Sequence, residues 1–279
     1  MLSVGRRLTR VVWLRRVFVP VFARINPGDV TIRNHHTGHP LRLHSFRHKG
    51  YWFHGRRREA DTMALFGRVI RPGDLVVEVG GHIGYISQYF AHLVGDSGHV
   101  VVFEPGPNNL PYLYRNTRDL ANVDVVELGV GREPGRADFY VEKLTGQNNS
   151  FVADFGGLRA NSHAAGIDSG VERVAVELTS LDDHLAESPS FIKIDVEGFE
   201  LPVLEGASRI LEEDRPLLMV EIQADRVALA ELATTHGYVV LGDDLQPFNW
   251  DENFLGNSFW FHREQHDDLL HELHAGRLG

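Results

Sequence analysis

Two short stretches of this chain combine residue types whose spacing could do chemistry. Val76-Val77-Glu78-Val79-Gly80-Gly81-His82-Ile83-Gly84 is a β-branched run that stops in a glycine cluster, and Glu104 follows at the end of Val100-Val101-Val102-Phe103. The first reads as a buried parallel strand turning tightly into a helix, where Gly80 and Gly81 let backbone approach a ligand with no Cβ in the way. The second is an apolar strand whose terminal carboxylate can accept hydrogen bonds from both hydroxyls of a ribose. Together they describe a pocket for a nucleoside-bearing cofactor. The glycines alone fit a structural βα turn equally well; the paired acid favours the ligand. A nicotinamide site expects G-x-G-x-x-G, whereas the pattern here is E-x-G-G-x-x-G. An acid two residues before the first glycine repels a pyrophosphate. It suits an ammonium group, such as that at the methionine end of S-adenosylmethionine.

A third stretch, Phe191-Ile192-Lys193-Ile194-Asp195-Val196-Glu197-Gly198-Phe199-Glu200, is a central strand ending in Asp195, with Glu197 and Glu200 at the start of the next helix. Ligands of open α/β sheets sit at the carboxyl ends of strands, so Asp195 should share one crevice with Gly80 and Glu104. Carboxylates packed so closely raise at least one pKa through like-charge repulsion unless a cation or donor relieves them. Glu200 also has a conventional reading, because an acid in a first helical turn is favoured by the helix dipole.

The elements that must position these groups follow a βαβ rhythm. Strands are expected at Leu75 to Val79, His99 to Glu104, Val123 to Glu127, Phe191 to Asp195, Leu217 to Glu221, Tyr238 to Leu241 and Ser258 to Phe261, the last antiparallel. Helices are expected from about Arg57 to Val69, Tyr85 to Leu93, Pro105 to Leu120, Glu200 to Leu211 and Asp225 to His236. Val30 to Arg33 and Pro40 to His44 form two short strands ahead of them. Arg136 to Glu142 and Glu172 to Leu178 read as exposed strands flanking a Gly-, Asn- and Ser-rich segment over 143–170, which has the character of a functional lid or mobile loop.

The chain has 279 residues, 43% of them hydrophobic and 24% charged, and no cysteine. That is room for one large domain, or one domain plus an extension, and it excludes a disulfide framework, a thiol nucleophile and cysteine-ligated zinc. Thirteen Arg and Lys residues against the single acid Asp29 make Met1 to Arg58 strongly cationic, while fifteen bases against thirty-seven acids make the remainder anionic. The arm around Trp13-Leu14-Arg15-Arg16-Val17-Phe18 is too short and too charged to span a bilayer. It fits either a basic amphipathic helix on an anionic membrane surface or a helix packed on the domain. The histidines His262, His266, His271 and His274 have helical spacing that could clip a metal, but a solvated face explains them better. Arg56-Arg57-Arg58 fits an anionic substrate and a solvated helix start about equally.

The series Pro72-Gly73-Asp74, E-V-G-G-H-I-G-Y, F-E-P-G-P-N-N, Asn149-Ser150, S-L-D-D and I-K-I-D-V-E-G-F-E-L-P-V-L-E-G-A resembles the FkbM family of S-adenosylmethionine-dependent methyltransferases, in the family's order from about Gly50 to Glu221. Tyr51-Trp52, Gly55 and Glu59 resemble the region preceding that domain. The resemblance implies a Rossmann-like class I methyltransferase fold, a mostly parallel seven-stranded sheet flanked by helices. The domain would occupy 56–279, with a mobile loop near 143–170 and a basic N-terminal extension over 1–55. It implies methyl transfer to a hydroxyl of a glycan, lipid-linked saccharide or natural product. By the same resemblance Glu78, Gly80, Gly81, His82 and Gly84 would line the methionine part of the cofactor, Glu104 would hold the ribose, and Pro105 and Val130 would border the adenine. Asp195 would lie near the transferring methyl and the acceptor. Two departures stand out: Glu78 replaces a more usual Asp, and Gly81-His82 stands where Ala-Asn is more frequent.

A hydroxyl is a poor nucleophile until its proton is leaving, which calls for a positioned base or a metal, and the base candidates are Asp195 first and Glu197 second. Asp195 with neighbours such as Glu221 could offer hard oxygens to Mg²⁺, but no third ligand is identifiable, and the expectation is a site without metal. The partners expected are a small-molecule, glycan or lipid-linked acceptor, with peripheral contact of the arm with an anionic membrane, and a cytoplasmic location. Two other readings stay open. One is a nucleic-acid methyltransferase guided by the basic arm, disfavoured by the acidic domain and by the lack of a motif for flipped-base amines. The other is a non-catalytic cofactor-binding scaffold.

Overall fold

Apolar runs set between turn residues dictate the order of elements. A computed structural model describes residues 27–143, 146–158, 170–251 and 256–275. The chain opens with a hairpin, β1 (Asp29–Arg33) and β2 (Pro40–His44), then α1 (Lys49–His54) and α2 (Ala60–Val69). β3 (Leu75–Val79), α3 (Tyr85–Val94), β4 (His99–Phe103), α4 (Leu110–Thr117) and β5 (Val123–Val126) follow as parallel βαβ units. β6 (Gly129–Val130), β7 (Gly135–Glu142) and β8 (Val171–Thr179) make a separate three-stranded sheet. The chain then returns through α5 (Leu181–His184), β9 (Phe191–Ile194), α6 (Glu200–Glu205), β10 (Leu217–Glu221), α7 (Arg226–Thr235), β11 (Tyr238–Gly242), β12 (Asn257–His262) and α8 (Asp267–Ala275).

The central sheet has seven strands in the order β11-β12-β10-β9-β3-β4-β5, with β12 antiparallel to both neighbours and the β5-to-β10 segment parallel. This is the Rossmann-like class I methyltransferase architecture. The chain runs outward from β3 to β5, then returns to lay β9 on the other side of β3. The crevice therefore opens at the carboxyl ends of β3 and β9, where the winding direction reverses.

Apolar side chains fill both faces of the sheet. On one, Phe66 of α2 packs edge-on against Phe90 of α3 and Phe191 of β9, with ring centroids 5.0 and 5.6 Å apart. Truncating so buried a ring costs ~3–5 kcal/mol. Leu41, Leu43 and Tyr51 belong to this same core, so the segment before α2 is packed into the domain. On the other face, Val77, Ile192, Leu218 and Trp260 meet Val203, Leu204 and Leu229. Among the described residues no helix is long and apolar enough to cross a membrane.

Three helices differ from expectation, each for an identifiable reason. The expected helix from Arg57 starts only at Ala60, because Gly55 (φ 54°) and Glu59 (φ 51°) turn left-handed and break it from α1, which takes up the Tyr51 cluster. The helix expected from Pro105 begins at Leu110, because Gly106 and Asn109 are held in a loop around Glu104. The helix expected through Leu211 stops at Glu205 and is followed by a wider turn over Ile210–Asp214. A Cβ on Gly206 would lie 2.0 Å from the Gly131 carbonyl, so only glycine lets this corner close. The basic arm over 1–26, and 144–145 and 159–169 of the expected loop, lie outside the described residues.

Candidate active site

A hollow of about 1060 Å³, counted to its open mouth, sits over the carboxyl ends of β3, β4, β9 and β10. Of the residues singled out in the sequence, Glu78, Gly80, Gly81, His82, Glu104, Pro105, Val130, Asp195 and Glu197 line it. Gly84 does not. It turns left-handed (φ 81°) just before α3, and a Cβ there would meet Leu113 at 3.0 Å, so its role is close packing of α3 on α4.

The glycine turn is built for close approach. Gly80 has φ 92°, and a Cβ on it would stand 2.0 Å from the Asp195 carbonyl oxygen. The turn and the end of β9 are stitched by the Asp195 amide, which donates to the Val79 carbonyl at 3.0 Å. No side chain fits between the two strand tips, which leaves bare backbone facing the hollow.

Glu104 is buried, and both of its oxygens accept hydrogen bonds. Its Oε2 accepts from the His82 amide at 2.7 Å, and its Oε1 from the Gly106 amide at 2.8 Å and Asn109 Nδ2 at 3.3 Å. Burial nonetheless pushes its pKa up to about 7. Glu78 is 1% exposed; Ser87 Oγ donates to its Oε2 at 2.5 Å, and burial raises it to about 7 against the opposing pull of Lys193.

Lys193 is the group the sequence reading passed over. It is 2% exposed, with Nζ 3.0 Å from Asp195 Oδ2 and 3.8 Å from Glu78 Oε1. Burial works against its charge, but Asp195 and Glu78 outweigh that and hold it protonated. The available signal was a lysine in an otherwise apolar strand two residues before an acid, which places both side chains on one face of β9. Asp195 is half-buried; desolvation opposes its charge, yet Lys193, a hydrogen bond from Glu221 and Arg58 keep it below the usual carboxylate range.

Its neighbours behave in the opposite sense. Glu221, which shares a hydrogen bond with Asp195, is driven well above its ordinary value, first by the Asp195 charge and then by burial. Burial, Asp195 and Glu200 push Glu197 up to about 9. The expected crowding of carboxylates therefore splits the group, with Asp195 lowered and Glu197 and Glu221 raised. Glu197 sits in a left-handed turn (φ 52°), secured by Ser150 Oγ donating to its carbonyl at 2.7 Å and by Glu200 Oε1 accepting from the Gly198 amide at 2.8 Å.

Other walls come from segments remote in sequence. Asn149 donates to Asn108 at 2.9 Å and accepts from the Glu142 amide at 2.9 Å, folding the arch over 146–151 against the Glu104 loop. Tyr51, Arg58 and Glu59 close the side that precedes β3. Two of the tail histidines are structural, since the His262 amide donates to His266 Nδ1 at 2.9 Å and burial lowers His266 to about 4, whereas His271 and His274 stand on an exposed face as expected. Among the described residues no group of three or more His, Asp or Glu side chains is disposed to hold a metal ion.

The methyltransferase FkbM domain model matches residues 78–270, which carry the glycine turn, Glu104 and Asp195. The chain belongs to the FkbM family of S-adenosylmethionine-dependent methyltransferases. A curated relative, the hexuronic acid methyltransferase AglP of Haloferax volcanii, is 27% identical over 209 residues, covering 71% of this chain and 76% of its own. Among solved structures, an FkbM methyltransferase from Methylobacillus flagellatus KT is 19% identical with a TM-score of 0.45, covering 71% of this chain and 50% of that one. Fibrillarin from Aeropyrum pernix, solved with natively bound S-adenosyl-L-methionine, is 13% identical with a TM-score of 0.40, covering 71% of this chain and 72% of that one.

Proposed function

We propose that this enzyme methylates a hydroxyl oxygen of a saccharide, free or carried on a glycan or lipid, with Asp195 as the base. The observation that carries the reading is Asp195 at the centre of the hollow, pinned at 3.0 Å by Lys193 and held below the usual carboxylate range while Glu197 and Glu221 beside it are pushed above it. The named substrate class of the Haloferax volcanii relative, a hexuronic acid, supports a sugar acceptor.

The residues fit S-adenosylmethionine. Gly80 and Gly81 leave room that a Cβ would fill, Glu104 lines the hollow where a ribose would sit, Pro105 and Val130 offer apolar surface for adenine, Glu78 stands at the glycine turn for the ammonium, and Asp195 supplies negative charge beside the sulfonium. When bound, the cofactor supplies an electrophilic methyl on a sulfonium. The chain's work is then to hold an acceptor oxygen in line, exclude water and take up the hydroxyl proton. Asp195 does the last, because Lys193 keeps it ionised at neutral pH. Glu197, with its raised pKa, is placed to orient the acceptor as a hydrogen-bond donor, and Glu221 shares its hydrogen bond with Asp195. Lys193 already supplies the counter-cation that a metal would otherwise provide, and the reading needs no Mg²⁺.

The test uses methyl-labelled S-adenosylmethionine with a panel of neutral and uronic glycosides beside RNA and DNA. Label is expected in a saccharide ether; label in polynucleotide alone refutes the reading. D195N should bind S-adenosylhomocysteine like the wild type while turnover falls by ~10²–10⁴-fold, the usual range for a lost base. Undiminished turnover would remove Asp195 from the role.

A further inference from the structure

S-adenosylmethionine carries a carboxylate beside its ammonium and sulfonium groups, and an acidic hollow must neutralise that carboxylate with a cation. Two basic side chains other than histidine line the hollow among the described residues, Lys193 and Arg58. Lys193 is 2% exposed and wedged between Glu78 and Asp195. Arg58 is half-buried, and only its Nη2 edge is committed in the ion pair with Glu59 Oε1 at 2.9 Å. A guanidinium presents five donors in a planar fork, the geometry that matches a carboxylate.

Arg58 is held at the glycine-turn end of the hollow. Its guanidinium lies over the Tyr51 ring, 4.7 Å from the centroid. The Tyr51 hydroxyl is 2.8 Å from His82 Nδ1, and its ring is 5.0 Å from that of Tyr85, the first residue of α3. His82 and Tyr85 belong to the turn that receives the amino-acid end of the cofactor, and both line the hollow. Tyr51, Arg58 and Glu59 all precede residue 78, where the family domain begins.

We propose that Arg58 binds the methionine carboxylate of the cofactor, with Tyr51 positioning it, so that the segment before the family domain completes the cofactor site. This rests on the S-adenosylmethionine reading above. Tyr51 acts from two sides: its ring face supports the guanidinium by a cation–π contact, and its hydroxyl fixes the His82 ring beside Glu104. Glu59 keeps the fork turned toward the hollow and, on the exposed side, leaves the other edge to the ligand.

The test separates the carboxylate from everything else in the cofactor. Calorimetry compares S-adenosylhomocysteine with its decarboxylated analogue, which keeps the ammonium, thioether and adenosine. Wild type should prefer the complete ligand by ~10–100-fold, the range for one charge-assisted pair. In R58M, which retains an apolar stem over Tyr51, the preference should collapse to about 1, with the analogue bound as before; R58K should fall between. Y51F, which keeps the ring but removes the hydroxyl, should retain the preference for the complete ligand, whereas Y51A should reduce it. An R58M protein with undiminished preference, or R58M and R58K proteins that lose both ligands equally, would overturn the assignment. Wild type that binds neither ligand would instead sink the cofactor reading on which it stands.

Discussion

Replacing Lys193 with methionine tests the charge arrangement on which the site depends. Lys193 Nζ lies 3.0 Å from Asp195 Oδ2 and 3.8 Å from Glu78 Oε1, with 2% of the lysine side chain exposed. At 3.0 Å and an effective dielectric of ~20 the first pair is worth about 5.5 kcal/mol before desolvation is counted against it. Removing one member of a buried pair strands the other, which costs ~3–5 kcal/mol. K193M should therefore lose ~3–5 kcal/mol at pH 8, measured by urea unfolding with linear extrapolation. The pH dependence carries the diagnosis. In wild type the Asp195 pKa is lowered, so its contribution is complete above its unfolded value and lost only as pH falls through the still lower folded value. The Lys193 pKa is raised, so its contribution is complete below its unfolded value and lost only in strong alkali. Between pH 5 and 9 this pair thus adds no slope. In K193M burial, no longer offset by the lysine, pushes Asp195 up instead, and the folded protein takes up a proton that the unfolded chain has lost. The variant should recover stability as pH falls from 8 toward 5, and K193M/D195N should recover part of it at pH 8. A deficit below ~1 kcal/mol, or one indifferent to both pH and D195N, would refute the reasoning.

Two further outcomes follow from the same geometry. Glu197 is raised to about 9, so between its unfolded value near 4.5 and pH 9 the folded protein holds a proton that the unfolded chain lacks, and stability falls as pH rises through that window. In cofactor-free protein E197Q should flatten that slope and gain on wild type at pH 9, read from melting temperature; an unchanged slope would show that Glu197 ionises normally. E104A removes the acceptor shared by the His82 amide, the Gly106 amide and Asn109 Nδ2. It should weaken S-adenosylhomocysteine binding ~100-fold by calorimetry and lower stability by ~1–3 kcal/mol for the orphaned donors. Wild-type affinity would mean that Glu104 holds no ribose.

Much of the fold was legible because parallel strands announce themselves locally. Val76, Val77 and Val79, or Phe191, Ile192 and Ile194, are apolar runs bounded by turn residues, and their alternation with helical stretches implies a parallel sheet. The helix ends were less legible, because what stopped them was contact with distant chain. Gly206 meets Gly131, and the Gly106–Asn109 loop is tied to Glu104 and Gly146, neither visible in the helix's own sequence.

The same division runs through the site. Residue order by itself determined that acids end three strands, that glycines stand where backbone must be bare, and that these tips share one edge of the sheet, since side-chain alternation and strand polarity are properties of contiguous residues. Only the tertiary structure decided which acid keeps its charge. That depends on an ammonium 3.0 Å from Asp195 and absent from Glu197, on Gly84 facing α4 and not the hollow, and on Tyr51 meeting His82 across thirty-one positions. Burial and Coulomb energy depend on distance through space, and the distances are set only when the whole chain has closed around the crevice.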